Sequence, residues 1–598
     1  MAASTTIKSG GIVTFSVKVN GSVIPDETLV FAIHIEKGIN RIPLARISVL
    51  DGDASTGVFE ASSSSTFLPG NKVVIEAGYD SSNKSIFAGI ITKQSIRIDD
   101  TIGSLLIVEC RDEAVKMIVG RKNLTFSKKK DSDIISSIIG TYSGLSADVS
   151  ATTTEWPEQV QYYTTDWDFI LARAETNGYV VNAIDGKVTV GKPDADSTAV
   201  LEVEYGNNMH EFNAELNSVN QLAGAKANSW DYKTQKVING EASNSTAGPG
   251  NLSAKKLSEV VGLDDYDLRT SANLESADLT NWAKAQLVKS SFAKIRGEVK
   301  FQGTNLVNPG NYITLDGVGD RFSGDHLISG IVHDLSEGNW MTEATIGLSD
   351  MWFTEEPDVM APPASGLLPG ASGLFNATVK KMYEDPDTAY RILVDIPLFD
   401  AAGEGIWARL SNFYSTAGAG AFFMPEVGDE VVIGFLNEDP RYPVILGSLY
   451  SAKNKPFDGL DPAEKNPLKA IVSKSGIYIQ FDDEKKVLTL TTPGENKVVF
   501  SDEDKSITIT DQNSNSIEMS SSGITMKSPD DINIEATGSL NLKGTQGVNI
   551  EASGGDVQTK GLNIKSTANI EFSAEGSATA SVQGGAQLTL KAAMVMIN

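Results

Sequence analysis

The chain of 598 residues has one cysteine and four histidines, and beyond Leu468 it has no arginine, histidine, tryptophan or cysteine. A single thiol, Cys110, excludes an internal disulfide framework and a thiolate metal cluster from one chain, leaving it the role of a small core residue. No apolar run approaches the roughly 20 residues that span a bilayer. The opening MAASTTIKSGG lacks the apolar core of a secretory signal, so export by the general secretory route is not expected. Acidic residues outnumber basic ones 77 to 50, for a formal charge of −27. That balance argues against nucleic acid or an anionic membrane surface as the main partner.

Catalytic signatures are also scarce. There is no Gly-rich phosphate loop, no supported Ser-His-Asp order and no basic aromatic patch. The histidines, His34, His210, His326 and His333, fall in segments that read as strands or strand ends, where a structural role is expected. His326 and His333 are seven apart and would face opposite sides of one continuous strand, which argues against a shared metal site. Asp264-Asp265 and Asp482-Asp483 read as solvated charge, since neighbours on a regular strand diverge too far to form a glycosidase pair. No cofactor, metal or catalytic residue is expected.

What the chain has is strands. From Ile524 the apolar residues come in pairs two apart that recur every eight residues: Ile524/Met526, Ile532/Ile534, Leu540/Leu542 and Val548/Ile550. Side chains at i and i+2 share one strand face, and the Gly, Ser, Asp and Asn between pairs supply turns. After one interruption the pattern resumes at Leu562/Ile564, Ile570/Phe572, Ala578/Ala580, Leu588/Leu590 and Met596, running to Asn598. One narrow apolar row cannot bury itself. Periodicity alone leaves two solutions open: three chains intertwined as a triangular prism, or one chain coiled as a solitary β helix.

Upstream, residues 11–110 alternate apolar and polar over many short runs, as in a sandwiched or closed β domain. Short helices are expected around Asp112–Val119 and Ser132–Ile139. In QYYTTDWDFILARAETNGYVVNAIDGKVTVG, Thr165 and Asp168 fit a capping box, Gly178 ends the helix, and a hairpin turns at Asp185-Gly186. Residues 228–267 read as a loop or surface excursion, and Ser276–Ile295 reads as a helix. Composition marks a linker over 356–373, a compact all-β module over 374–452, a second linker over 453–467 and the repeat over 468–598. The module's length and five or so strands fit a small barrel, and NEDPRYP reads as a barrel turn.

The stretch Pro425, Glu426, Gly428, Asp429, Glu430 and Val431, continued by Asp439-Pro440, Pro443, Val444, Gly447, Leu449 and Tyr450, resembles the signature of VgrG-type spike proteins of contractile injection systems. Asp166, Phe169, Arg173, Glu175 and Gly178 are similar to that family's hub helix, and Phe301, Gly303, Pro309 and Gly310 to its closing strands. The resemblance implies a mainly β fold: a hub of β-barrel-like domains with a few helices over 1–355, an oligosaccharide-binding-type barrel, and a C-terminal trimeric β-helix or prism spike.

The implied protein is a structural, non-enzymatic homotrimer that assembles in the cytoplasm and is then carried in an injection particle or delivered outside the cell. Its partners would be an inner tube protein and baseplate components at the hub, with effectors as possible cargo. With no lysozyme-like insert and no domain expected after Asn598, an attached effector is not expected. The trimer core would comprise Ile524, Met526, Ile532, Ile534, Leu540, Leu542, Val548, Ile550, Ile570, Phe572, Leu588 and Leu590. The repeat has no histidine to hold a tip metal, so a small PAAR-type cap would contact Met594, Met596 and Ile597. Two rivals stay open: a polysaccharide or cell-wall hydrolase on a monomeric β helix, and a trimeric tail-fibre adhesin.

Overall fold

The computed structural model describes residues 11–101, 103–193, 198–244, 248–357, 359–399 and 403–597. Most of the stretch read for a secretory signal, residues 1–10, lies outside these, as does Asn598, where the repeat is expected to end. The chain divides into two compact units, Met1–Leu449 and Tyr450–Asn598.

The first unit is built on a large, mostly antiparallel sheet. Its spine runs from Met209–Leu216 through Ile295–Gln302, Asn339–Ile346 and Gly324–Ser336. It continues through Val30–Gly38, Leu44–Leu50, Gly103–Arg111, Ser82–Asp99 and Lys72–Tyr79 to Val13–Val19. Alternation along these strands sends Ile33, Ile35, Ile47, Ile75, Leu106, Val108 and Cys110 into one core. Burial pushes the Cys110 thiol up to about 12, so it stays a protonated core group. Gly303 lacks a Cβ for a packing reason: one built there would lie 2.2 Å from the Trp340 ring, whose carbonyl accepts the Gly303 N–H at 2.9 Å.

The expected helices form at Asp131–Ile139 and Asp166–Thr176, with a 3-10 turn at Glu113–Ile118. Thr165 caps the second helix by accepting from the Asp168 N–H, and the hairpin Val180–Ile184 with Lys187–Gly191 turns at Asp185-Gly186.

Two expectations need correction. Residues 228–267 hold structure: Gly224–Asp231 pairs with Lys236–Ser243 and Tyr266–Thr270, and the helix Ser276–Phe292 covers that sheet. Small residues hid this from apolar periodicity. At Gly240 a Cβ would fall 2.2 Å from the Thr280 nitrogen, so the helix rests directly on strand backbone.

Nor is the single strand carrying His326 and His333 regular, because its register shifts between Ile328 and Gly330. Opposite-face counting fails across that bulge, and both rings are buried. His326 Nε2 meets the Phe322 carbonyl at 2.7 Å and His333 Nδ1 the Thr342 hydroxyl at 2.9 Å. Burial lowers the two rings to about 4 and about 3, so both are neutral near pH 7.

Residues 375–448 close into a five-stranded barrel. In chain order its strands are Phe375–Lys381, Ile392–Asp395, Ile406–Leu410, Glu430–Phe435 and Pro443–Ser448. Their spatial order is 1-2-3-5-4, closing on 1, with the third and fifth parallel. That is the topology of an oligosaccharide-binding fold. Ala377, Val379, Ile392, Val394, Val431, Ile433 and Ile445 fill its interior.

The second unit opens with a seven-stranded antiparallel meander from Leu468 to Lys527. Octads are therefore not the rule over all of 468–598. Ile524 and Met526 lie on the meander's last strand, opposite Met519 and Ile517. Asp482 ends a strand and Asp483 follows in the turn, where the Asp482 carboxylate accepts from the Glu484 and Lys485 N–H groups.

Candidate functional site

The barrel signature folds into one turn for reasons each residue supplies. Asp429 Oδ2 accepts the Glu426 N–H at 2.8 Å, while its own N–H returns to the Glu426 carbonyl at 3.0 Å. Gly428 sits at φ +93°, where a side chain would strain the backbone. The Gly428 N–H donates to Val379 O, and the Val379 N–H to Asp429 O, stitching the turn to the barrel's first strand. Pro425 is buried, and Glu430 accepts from Asn376 Nδ2 at 2.8 Å. Gly447 lies across the ladder from Val432. Tyr450 is not brought to this turn: it lies beyond the last barrel strand and is exposed. In the NEDPRYP segment, both Asp439 oxygens bind Arg441, at 3.0 and 2.7 Å, and those hydrogen bonds hold the carboxyl below its usual range.

In the hub helix the charged motif residues hold neighbouring elements. Asp166 accepts from Lys122 Nζ and the Tyr142 hydroxyl, both at 2.6 Å, and from Gln161 at 2.9 Å. Arg173 grips the buried Asp131 through Nε at 2.8 Å and Nη2 at 2.9 Å, and Asn177 and the Trp156 indole donate to the same carboxylate. Burial alone would raise Asp131, but these bonds and the Arg173 charge outweigh it and hold it below the usual range. Glu175 pairs with Lys289 and accepts from the Phe353 N–H. Lys122, Asp131 and Lys289 carry most of these contacts, and no local pattern in the sequence singles them out.

The meander sorts its side chains by face. One face carries the cross-strand row Ile471, Ile479, Leu490, Val498, Ile509, Ile517 and Met526. Beside it runs the row Lys469, Phe481, Leu488, Phe500, Ile507, Met519 and Ile524. All but Lys469 are apolar. The other face is mixed: its central row carries Ala470, Gln480, Thr489, Val499, Thr508, Glu518 and Thr525, with Leu468, Val472, Tyr478 and Val487 to either side. On the apolar side Phe481, Phe500, Ile509 and Met519 are exposed, so the chain does not cover that face itself.

Beyond Lys527, among the described residues, the chain forms no further strand. It runs without regular secondary structure, with bends at 529–530, 537–538, 545–546, 553–555, 562, 569–570, 577–578, 585–586 and 593. The eight-residue period is thus a backbone property, and it continues through the segment where the apolar pairs lapse. Ile532, Ile534, Leu540, Leu542, Val548, Ile550, Ile564, Phe572, Leu588 and Leu590 fall between bends, and all are exposed. Leu562 and Ile570 fall on bends and are fully exposed, at 104% and 100%. Asp556 and Gln558 occupy the places where the lapsed pair would stand. Met594, Met596 and Ile597 are exposed at the end of the described chain. Among the described residues no cluster of His, Cys, Asp and Glu has the spacing to hold a metal, and no helix is long and apolar enough to cross a membrane.

The closed barrel and its signature turn are the part of this chain that is similar to VgrG spike proteins. The chain belongs to the family described as the Alg8 N-terminal domain, which matches residues 9–337, more than half its length. Residues 375–450 match the type VI secretion system/phage-baseplate injector OB domain.

Among individual proteins, the chain is 31% identical over 78 residues to the type VI secretion system spike protein VgrG1a of Pseudomonas aeruginosa, covering 13% of this chain and 12% of that one. It is 32% identical over 81 residues to VgrG3 of Vibrio cholerae, covering 13% and 8%. The match therefore spans about a tenth of these curated relatives' length. Among solved structures, the Escherichia coli c3393 protein, described as a type VI secretion component similar to the T4 tail proteins gp27 and gp5, aligns at 13% identity with a TM-score of 0.39. That alignment covers 72% of this chain and 99% of that one.

Proposed function

We propose that this chain is the structural spike and hub of a contractile injection system and works as a homotrimer. Residues 1–355 form the hub, which docks on the end of the inner tube and meets the baseplate. Residues 374–452 form the barrel between linkers at 356–373 and 453–467, and residues 468–598 form the rod. The observation that carries the reading is the uncovered apolar face of the meander. A sheet with thirteen apolar side chains in two adjacent rows on one face, against a mixed opposite face, needs partners for the first. Three copies around an axis supply them, each closing one side of a prism.

The octad tail supports the same arrangement. A solitary β helix would satisfy its backbone within one chain, whereas residues 528–597 form no strand among the described residues. Neighbouring copies would provide both the missing ladder bonds and the cover for Ile532, Ile534, Leu540, Leu542, Val548 and Ile550. A rod so closed has no free sheet edge along its length and resists bending when sheath contraction drives it into a target envelope. Its function is mechanical, with effectors carried and delivered outside the cell. The exposed Met594, Met596 and Ile597 suit a small PAAR-type cap.

The test is a double substitution, Ile534→Asp with Leu542→Asp, which places six carboxylates in the proposed row of the trimer. Light scattering should then report loss of the three-chain particle. A variant that stays trimeric would show that this row is not buried between chains.

A further inference from the structure

The hub holds a cavity of about 380 Å³ that the spike reading does not use. Three of the chain's seven tryptophans line it, Trp156, Trp282 and Trp352, together with Tyr266 and the carboxylates of Asp278 and Glu355. They come from the strand Glu155–Thr164, the strand Tyr266–Thr270, the helix Ser276–Phe292 and the 3-10 turn Phe353–Glu355 with its preceding residue.

Several donors around this space are engaged, while the Trp282 indole N–H and the Thr354 hydroxyl donate to no group among the described residues. The Trp156 indole N–H goes to Asp131 at 3.1 Å, the Trp352 indole N–H to Gln286 at 2.8 Å, and the Asn281 amide to Thr153. The nearby cations are engaged too. Arg173 binds Asp131 and lies 5.1 Å over Trp156, while Lys289 binds Glu175 and lies 5.3 Å over Trp352. Asp278 and Glu355 take part in no ion pair among the described residues. Asp278 accepts from the Thr154 hydroxyl, and Glu355 from the Trp352 N–H. The lining thus offers aromatic rings and two carboxylates outside any ion pair among the described residues.

That combination suits a cation: a guanidinium or ammonium needs acceptors and π faces, and the two carboxylates supply its counter-charge. We propose that this cavity receives an arginine or lysine side chain presented by a partner protein that docks on the hub. The volume lies in the range of sites that enclose a ligand group. The acidic carboxylates complement the incoming charge, and the rings cover its aliphatic stem. This inference rests on the hub alone and stands or falls independently of the trimeric rod.

The probe is arginine amide, titrated into the full chain with tryptophan fluorescence as the readout, and lysine amide as a second arm. Saturable quenching is expected, weakened by salt. Asp278→Asn with Glu355→Gln should weaken it at least tenfold while the near-ultraviolet circular dichroism stays unchanged. Tyr266→Leu, which removes a partly exposed ring, keeps the test open if the double variant fails to fold, and should also weaken the response. Three results would each overturn the proposal: no saturation with the unmodified chain, unchanged affinity in a folded double variant, or quenching by tri-N-acetylchitotriose with none by arginine amide.

Discussion

The two buried histidines make the hub acid-sensitive in a calculable way. In the unfolded chain each has the ordinary histidine value of about 6.5. In the fold, burial lowers His326 to about 4 and His333 to about 3. Below pH 6.5 the unfolded state takes up protons that the folded state refuses, so stability is full above that value and falls with decreasing pH. At pH 5 the solution is about 1.5 pH units below the unfolded value while both rings stay neutral in the fold, a cost of about 2 kcal/mol apiece. His34 acts the other way. Burial lowers it, but the hydrogen bonds its ring donates to Asp334 and Glu36 outweigh that and raise it. Its contribution is full below the unfolded value and is lost as pH rises through the folded one, and partial exposure keeps it small.

The histidines' own contribution to the loss between pH 8 and pH 5 is therefore about 3 to 4 kcal/mol, several degrees of melting temperature in a domain of this size. Tryptophan emission is a suitable assay, because all seven tryptophans lie before residue 450 and Trp340 sits 5.8 Å from the His333 ring. His326→Gln with His333→Gln should flatten the profile above pH 5. If the double variant keeps the same slope, the histidines are not its source.

Removing Asp131 should be costly. Asp131→Ala strands the Arg173 guanidinium and leaves the Trp156 and Asn177 donors unpaired, for a loss of about 3 to 5 kcal/mol in hub stability, read by denaturant unfolding followed at tryptophan. Gly240→Val should lower the same midpoint by about 1 to 3 kcal/mol or more, since its side chain meets the backbone at Thr280 and must lift the helix Ser276–Phe292. A midpoint within experimental error of the unmodified chain would contradict either account.

The legible parts of the sequence were those where one local rule decides the outcome. Thr165 and Asp168 cap a helix by side-chain chemistry, and Asp185-Gly186 turns a hairpin by backbone preference. The barrel turn rests on Gly428 and Asp429 in a fixed local pattern. What escaped depends on contacts between distant segments. The sheet around Gly240 was hidden because close helix packing selects small residues, which carry no apolar signal. The bulge between Ile328 and Gly330 broke the two-residue count that separated His326 from His333. The meander shows the reverse effect. Its face sorting follows simple alternation, yet its hairpins place the start of the repeat on the final strand of a sheet rather than on a free octad. In the tail, spacing identified the eight-residue period, while the bends show which residues stand between them and which, like Ile570, stand on them.

The claim on which the functional account depends is that three copies share the apolar face of the rod. Native mass measurement of the full chain tests it most directly. The account predicts a particle of three 63.7 kDa chains, and a stable particle of one chain would contradict it.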